Sequence, residues 1–115
     1  MVRVALLQMC SGIDPARNAA TIADAIGKAA EGGAEMVFTP EMSNIVDRDR
    51  KRAVAHVVAE GADPVLSAAR EAAARHGIWV ALGSLAIDRG DGRFANRAFV
   101  IDGTGNIVTR YDKLH

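Results

Sequence analysis

Apolar residues fall on both alternating faces from Val2 to Met9, with Val2, Val4 and Leu6 on one and Ala5 and Leu7 on the other. A strand covered on two sides has this pattern, so the segment predicts an interior strand. Asp14-Pro15 then supplies an N-cap and a first-turn proline. Ala19, Ile22, Ile26 and Ala29 recur at three- and four-residue spacing, and Gly32-Gly33 stops the pattern. This is a helix with both ends marked. Met36 to Thr39 is a short apolar run closed by Pro40, which has no N–H for a ladder, so the chain must leave the sheet there and Glu41 opens a loop.

The charge run Asp47 to Arg52 feeds Val54, Val57 and Val58, and reads as a solvated helix start with one apolar stripe. Asp63-Pro64 repeats the cap signal, Leu66, Ala69, Ala73 and His76 share a face, Glu71 and Arg75 can pair across one turn, and Gly77 closes a second helix. Ile78 to Leu85 is again apolar on both faces and predicts another interior strand. After Leu85 the texture changes. Turn clusters at Asp88-Arg89-Gly90-Asp91-Gly92 and Asp102-Gly103-Thr104-Gly105-Asn106 separate the strand-like runs Phe94 to Ile101 and Ile107 to Tyr111, which predicts hairpins. The fold class is α/β, with a parallel start and an antiparallel tail.

Composition narrows the function. Fourteen basic residues balance fourteen acidic ones, so no net field gathers nucleic acid or an anionic membrane, and neither is expected as a partner. Of the 115 residues 22 are Ala, which favours helix but buries little area. A single Cys fits a reducing compartment, no apolar run is long enough to span a bilayer, and the first residues read as a strand instead of a signal peptide, so a cytoplasmic protein is expected. No linker or repeat divides residues 1–115, which read as a single domain. The chain stops at His115 within charged, strand-like sequence, so a C-terminally truncated domain is expected.

Several residues could carry chemistry. Cys10 sits where the first strand gives way to a loop, the place where open α/β sheets put ligands. Cys10 and Arg17 could bracket a phosphate loop, but Asp14 would repel the anion and Pro15 removes a donor, so a packed thiol is the better reading. The Gly90–Gly92 and Gly103–Gly105 clusters lie between strands, not ahead of a helix, and are turns. His56, His76 and His115 have no paired-ligand spacing, so no metal is expected, and His76 suits the C-terminal dipole of its helix. Glu41 is presented by a rigid Thr39-Pro40 exit at the carboxyl end of a strand, where partial burial would raise its pKa toward that of a useful base. Lys113 also follows a strand. Each of these two, taken alone, reads more readily as a solvated charge.

Five segments in order change those odds. Val4-Ala5-Leu6-Leu7-Gln8-Met9, Phe38-Thr39-Pro40-Glu41, Trp79-Val80-Ala81-Leu82-Gly83-Ser84, Asn96-Arg97-Ala98-Phe99-Val100-Ile101-Asp102 and Arg110-Tyr111-Asp112-Lys113-Leu114-His115 together resemble the nitrilase superfamily of carbon–nitrogen hydrolases. The resemblance covers the whole chain and is greatest to the branch containing omega-amidase and deaminated-glutathione amidase. It implies an α-β-β-α sandwich, commonly paired through its helices into a homodimer, and a Glu-Lys-Cys catalytic set without a cofactor. Glu41 matches the glutamate and Lys113 the lysine. The nucleophilic cysteine is expected beyond Lys113 on a strand-to-helix elbow, and Cys10, in the first-strand segment, cannot take its place. Thr39 stands where the family usually has Leu, a departure expected to touch packing more than mechanism.

What the resemblance implies is hydrolysis of a small linear amide. A thiolate attacks the amide carbon, Glu41 moves the proton, and Lys113 stabilises the oxyanion. Without the nucleophile, this chain alone is expected to be inactive. Two other readings compete: a non-catalytic α/β interaction module, and a Cys10 phosphatase.

Overall fold

The computed structural model describes residues 3–6, 15–39, 60–88 and 94–112. Within them the chain alternates strand and helix and then turns to consecutive strands. The elements are β1 (Val4–Leu6), α1 (Pro15–Glu31), β2 (Met36–Phe38), a short 3₁₀ turn (Glu60–Ala62), α2 (Pro64–His76), β3 (Trp79–Asp88), β4 (Phe94–Ile101) and β5 (Ile107–Asp112). The five strands form one sheet in the order β1-β2-β3-β4-β5. β1, β2 and β3 run parallel, and β3-β4 and β4-β5 are antiparallel. Strands β1, β2, β3 and β5 therefore all point the same way, and their carboxyl ends share one edge of the sheet.

The helices form where the sequence marks them. Asp63 accepts a hydrogen bond on its side chain from the Leu66 N–H at 3.0 Å, Pro64 occupies the first turn, and Gly77 ends α2 in the left-handed conformation at φ 62°. An acceptor at the N-cap and a glycine free of the Cβ penalty satisfy groups that the helix ends would otherwise leave unpaired. α1 runs from Pro15 to Glu31 and stops at Gly32-Gly33, as its punctuation predicts. Its N-cap candidate, Asp14, lies outside the described residues, as does the helix start expected after Asp47.

Both helices pack on one face of the sheet and against each other. Ile22 and Ile26 of α1 and Val65, Leu66, Ala69 and Ala73 of α2 meet Val37, Val80, Leu82, Phe99 and Ile101 of the sheet, all buried. Burying an isoleucine or phenylalanine side chain stabilises by roughly 1.5–3 kcal/mol, so this layer contact dominates the stability of the unit. His76, expected on the same face as Leu66, is exposed and sits against Gly27 of α1. Glu71 and Arg75, one turn apart, form no ion pair within 4 Å, whereas Asp24 and Lys28 of α1 pair at 3.1 Å.

Two strands depart from the expectation. β1 pairs only with β2 among the described residues and so is an edge strand. Alternation reports which faces are apolar and carries no information on lateral position. β3 is central, as predicted, but runs to Asp88, three residues past the expected end. Its register against β4 slips between Leu82 and Leu85, so Gly83 and Ser84 share one partner position. The sheet face away from the helices carries Val4, Phe38, Trp79 and Tyr111 with 36–63% of their surface exposed.

The β4-β5 turn is the predicted Asp-Gly-Thr-Gly-Asn cluster. Asp102 Oδ1 accepts from Thr104 N–H at 2.9 Å, Thr104 Oγ1 at 2.6 Å and Asn106 N–H at 3.0 Å. These bonds, led by the Thr104 hydroxyl, hold the Asp102 carboxyl below its ordinary value of 3.8. The turn is pinned to α2, because Arg70 Nε donates to Gly105 O at 2.8 Å. Residues 89–93, the other predicted turn, lie outside the described residues, although the antiparallel pairing of Asp88 with Phe94 makes β3-β4 a hairpin.

Candidate active site

The site is built at the shared carboxyl edge, from the ends of β2 and β5. β2 finishes at Phe38, and Thr39 continues its ladder for one further bond, donating its N–H to Ala81 O at 2.9 Å. In a regular parallel ladder the next bond would run from Gly83 N–H to the main-chain carbonyl of Thr39. Here Gly83 N–H donates to Thr39 Oγ1 instead, at 2.8 Å. The Thr39 side chain is buried and stands in for backbone at the point where the chain leaves the sheet. Pro40 and Glu41 follow directly and lie outside the described residues.

β5 ends in a similarly fixed way. Asp112, its last residue, faces Arg97 of β4 across the ladder. The Arg97 guanidinium donates from Nε to Asp112 Oδ1 at 2.5 Å and from its terminal nitrogen to Oδ2 at 3.1 Å. A two-pronged pair of this kind restricts the strand end more than a single contact would. Lys113 is the next residue and, like Glu41, lies outside the described residues.

The two strand ends border one feature. Thr39, two residues before Glu41, and Tyr111, two residues before Lys113, line the same depression of about 300 Å³, together with Phe38, Gly83, Val100 and Thr109. The ends of β2 and β5 thus flank one depression on the sheet face away from the helices, with β3 and β4 between them.

The other candidates do not join them. Cys10, His56 and His115 fall outside the described residues. Arg17, the partner considered for Cys10, lies exposed on α1. Among the described residues no three His, Cys, Asp or Glu side chains are grouped as a metal site would require, and no helix is long and apolar enough to cross a membrane. Two contributors escaped the sequence reading. The Arg97–Asp112 pair depends on a register that slips between Val100 and Ile101, which no spacing in the sequence reveals. Thr39 did leave a signal, a hydroxyl side chain in an otherwise apolar run before proline.

Residues 3–115 match the carbon-nitrogen hydrolase family. The chain belongs to that family. Deaminated glutathione amidase of Yersinia enterocolitica is 31% identical over 114 residues, which are 97% of this chain and 39% of that protein. Among solved structures, the NitFhit protein of C. elegans superimposes with a TM-score of 0.81 at 30% identity, over 100% of this chain and 29% of that one. An amidase from Nesterenkonia sp. superimposes with a TM-score of 0.81 at 30% identity, over 99% of this chain and 43% of that one. Mutant forms of that amidase are known in complex with butyramide and with acrylamide added at the active site cysteine.

This carbon-nitrogen hydrolase chain thus spans about a quarter to two-fifths of the length of the curated relatives it matches. The helical layer and the sheet described above are the N-terminal part of the nitrilase-type α-β-β-α sandwich. Family membership leaves the interaction module and the Cys10 phosphatase without an observation in their favour.

Proposed function

We propose that this chain supplies two of the three catalytic groups of an amidase acting on small linear amides, Glu41 as proton carrier and Lys113 as oxyanion partner. The observation that carries the reading is the common edge: β2 and β5 run in the same direction, and the residues just before Glu41 and Lys113 line one depression. The amidases among the relatives support the substrate class, and the family match supports the bond type.

The chemistry requires these residue types. An amide carbon is a poor electrophile, so a cysteine thiolate attacks it, and the thiol proton passes through Glu41 to the departing amine. The C–N bond breaks and a thioester forms. Lys113 offsets the charge on the tetrahedral oxygen. Water, deprotonated by Glu41, then cleaves the thioester to a carboxylic acid and the free thiol. The cysteine belongs to sequence beyond Lys113, so residues 1–115 alone are inactive in this reading. Pairing of two copies through the helical layer would leave the strand edge open to substrate.

The test is ammonia release from butyramide by the product of the complete coding sequence. Glu41→Gln and Lys113→Ala are each expected to lower turnover by at least about a hundredfold. Undiminished release in either variant, or none from the wild type across small linear amides, overturns the reading.

A further inference from the structure

We infer that Thr39 is a positioning residue, its buried hydroxyl fixing the point at which β2 releases the chain toward Glu41. The inference rests on the catalytic reading of Glu41 given above. Its own support is the exchange of acceptors at the end of β2. Thr39 N–H still makes the regular ladder bond to Ala81 O, but the following bond, from Gly83 N–H, is taken by Thr39 Oγ1 at 2.8 Å. The strand thereby ends without leaving a buried donor unpaired on β3, where register is already slipping.

Only Pro40 stands between Thr39 and Glu41 in the sequence. A residue before proline is confined to extended backbone, and proline fixes its own φ near −65°, so few soft rotations separate an anchored Thr39 from Glu41. Two residues reach at most about 7 Å, so the anchor at Thr39 bounds where the Glu41 backbone can stand. Thr39 has no need to touch substrate. A base displaced by about 1 Å can lose up to a hundredfold in rate, whereas binding of the rest of the amide is largely untouched. The departure from Leu at this position then reaches past packing to the mechanism.

The experiment compares Thr39→Val, which keeps the branched shape and removes the hydroxyl, with Thr39→Ser, which keeps the hydroxyl, in the product of the complete coding sequence. Turnover of butyramide and hydrogen exchange of the Gly83 amide are read for each. Thr39→Val is expected to lower kcat by about tenfold to a hundredfold with KM within about threefold, and to speed exchange at Gly83; Thr39→Ser is expected to stay within about threefold of wild-type kcat. Should the valine variant lose its native circular dichroism, Thr39→Ala replaces it in the same comparison. Wild-type kcat in the hydroxyl-free variant, or equal loss in it and the serine variant, overturns the inference. Glu41→Gln separates the two levels. Full activity in Glu41→Gln overturns the catalytic reading and this inference with it, whereas its loss beside an intact Thr39→Val overturns this inference alone.

Discussion

Replacing Gly105 by alanine tests how firmly the β4-β5 turn is seated on α2. Gly105 is buried and holds φ at 87°, a left-handed conformation that costs an L-residue about 1–2 kcal/mol. A Cβ at this position would stand 2.8 Å from Arg70 O and 3.1 Å from Ala74 Cβ. Arg70 O is helix backbone and cannot swing aside, so the turn must move. Moving it weakens the 2.8 Å bond from Arg70 Nε to Gly105 O, worth about 1 kcal/mol net. Together these terms predict a loss of about 3 kcal/mol. Gly61 provides the control, since a Cβ there meets nothing within 4 Å and its φ is not in the left-handed region. Urea unfolding of the product of the complete coding sequence should show a clear fall in midpoint for Gly105→Ala, with Gly61→Ala within about 0.5 kcal/mol of wild type. Equal midpoints for the two variants would refute the close seating of the turn.

Asp63→Ala removes the acceptor for Leu66 N–H at a fully buried cap, and urea unfolding should register a loss of about 2 kcal/mol, most of it recovered in Asp63→Asn. A double-mutant cycle on Arg97→Met and Asp112→Asn should give a coupling of about 1 kcal/mol, small because Asp112 is 43% exposed. Asp102→Ala should destabilise at neutral pH, with the difference shrinking as pH falls below 3.8. The folded carboxyl titrates below its ordinary value, so its contribution is complete above that value and disappears as it protonates; a pH series of unfolding midpoints checks the sign.

How far each feature is legible in the sequence follows from the range of the interaction that makes it. The caps of α2 depend on residues within one turn, and Asp63, Pro64 and Gly77 announce them. The bounds of β4 and its turn into β5 are likewise local, set by Asp102 to Asn106. Sheet order is not local, and β1, apolar on both faces, becomes an edge. The Arg97–Asp112 pair, which depends on a register slip, and the Thr39–Gly83 bond, which crosses from β2 to β3, join residues 15 and 44 apart that no periodicity links. Glu41 and Lys113 are marked by the motifs around them. What the fold adds is that their strands share a direction and an edge.

That addition is most directly tested by an experimental structure of the complete protein, carrying Glu41→Gln, with butyramide bound. The residue 41 side chain and Lys113 Nζ are both expected within about 3 Å of the reacting amide or its attacking sulfur, with Thr39 Oγ1 still accepting from Gly83 N–H. An amide bound elsewhere, or Lys113 turned away from it, would contradict the account.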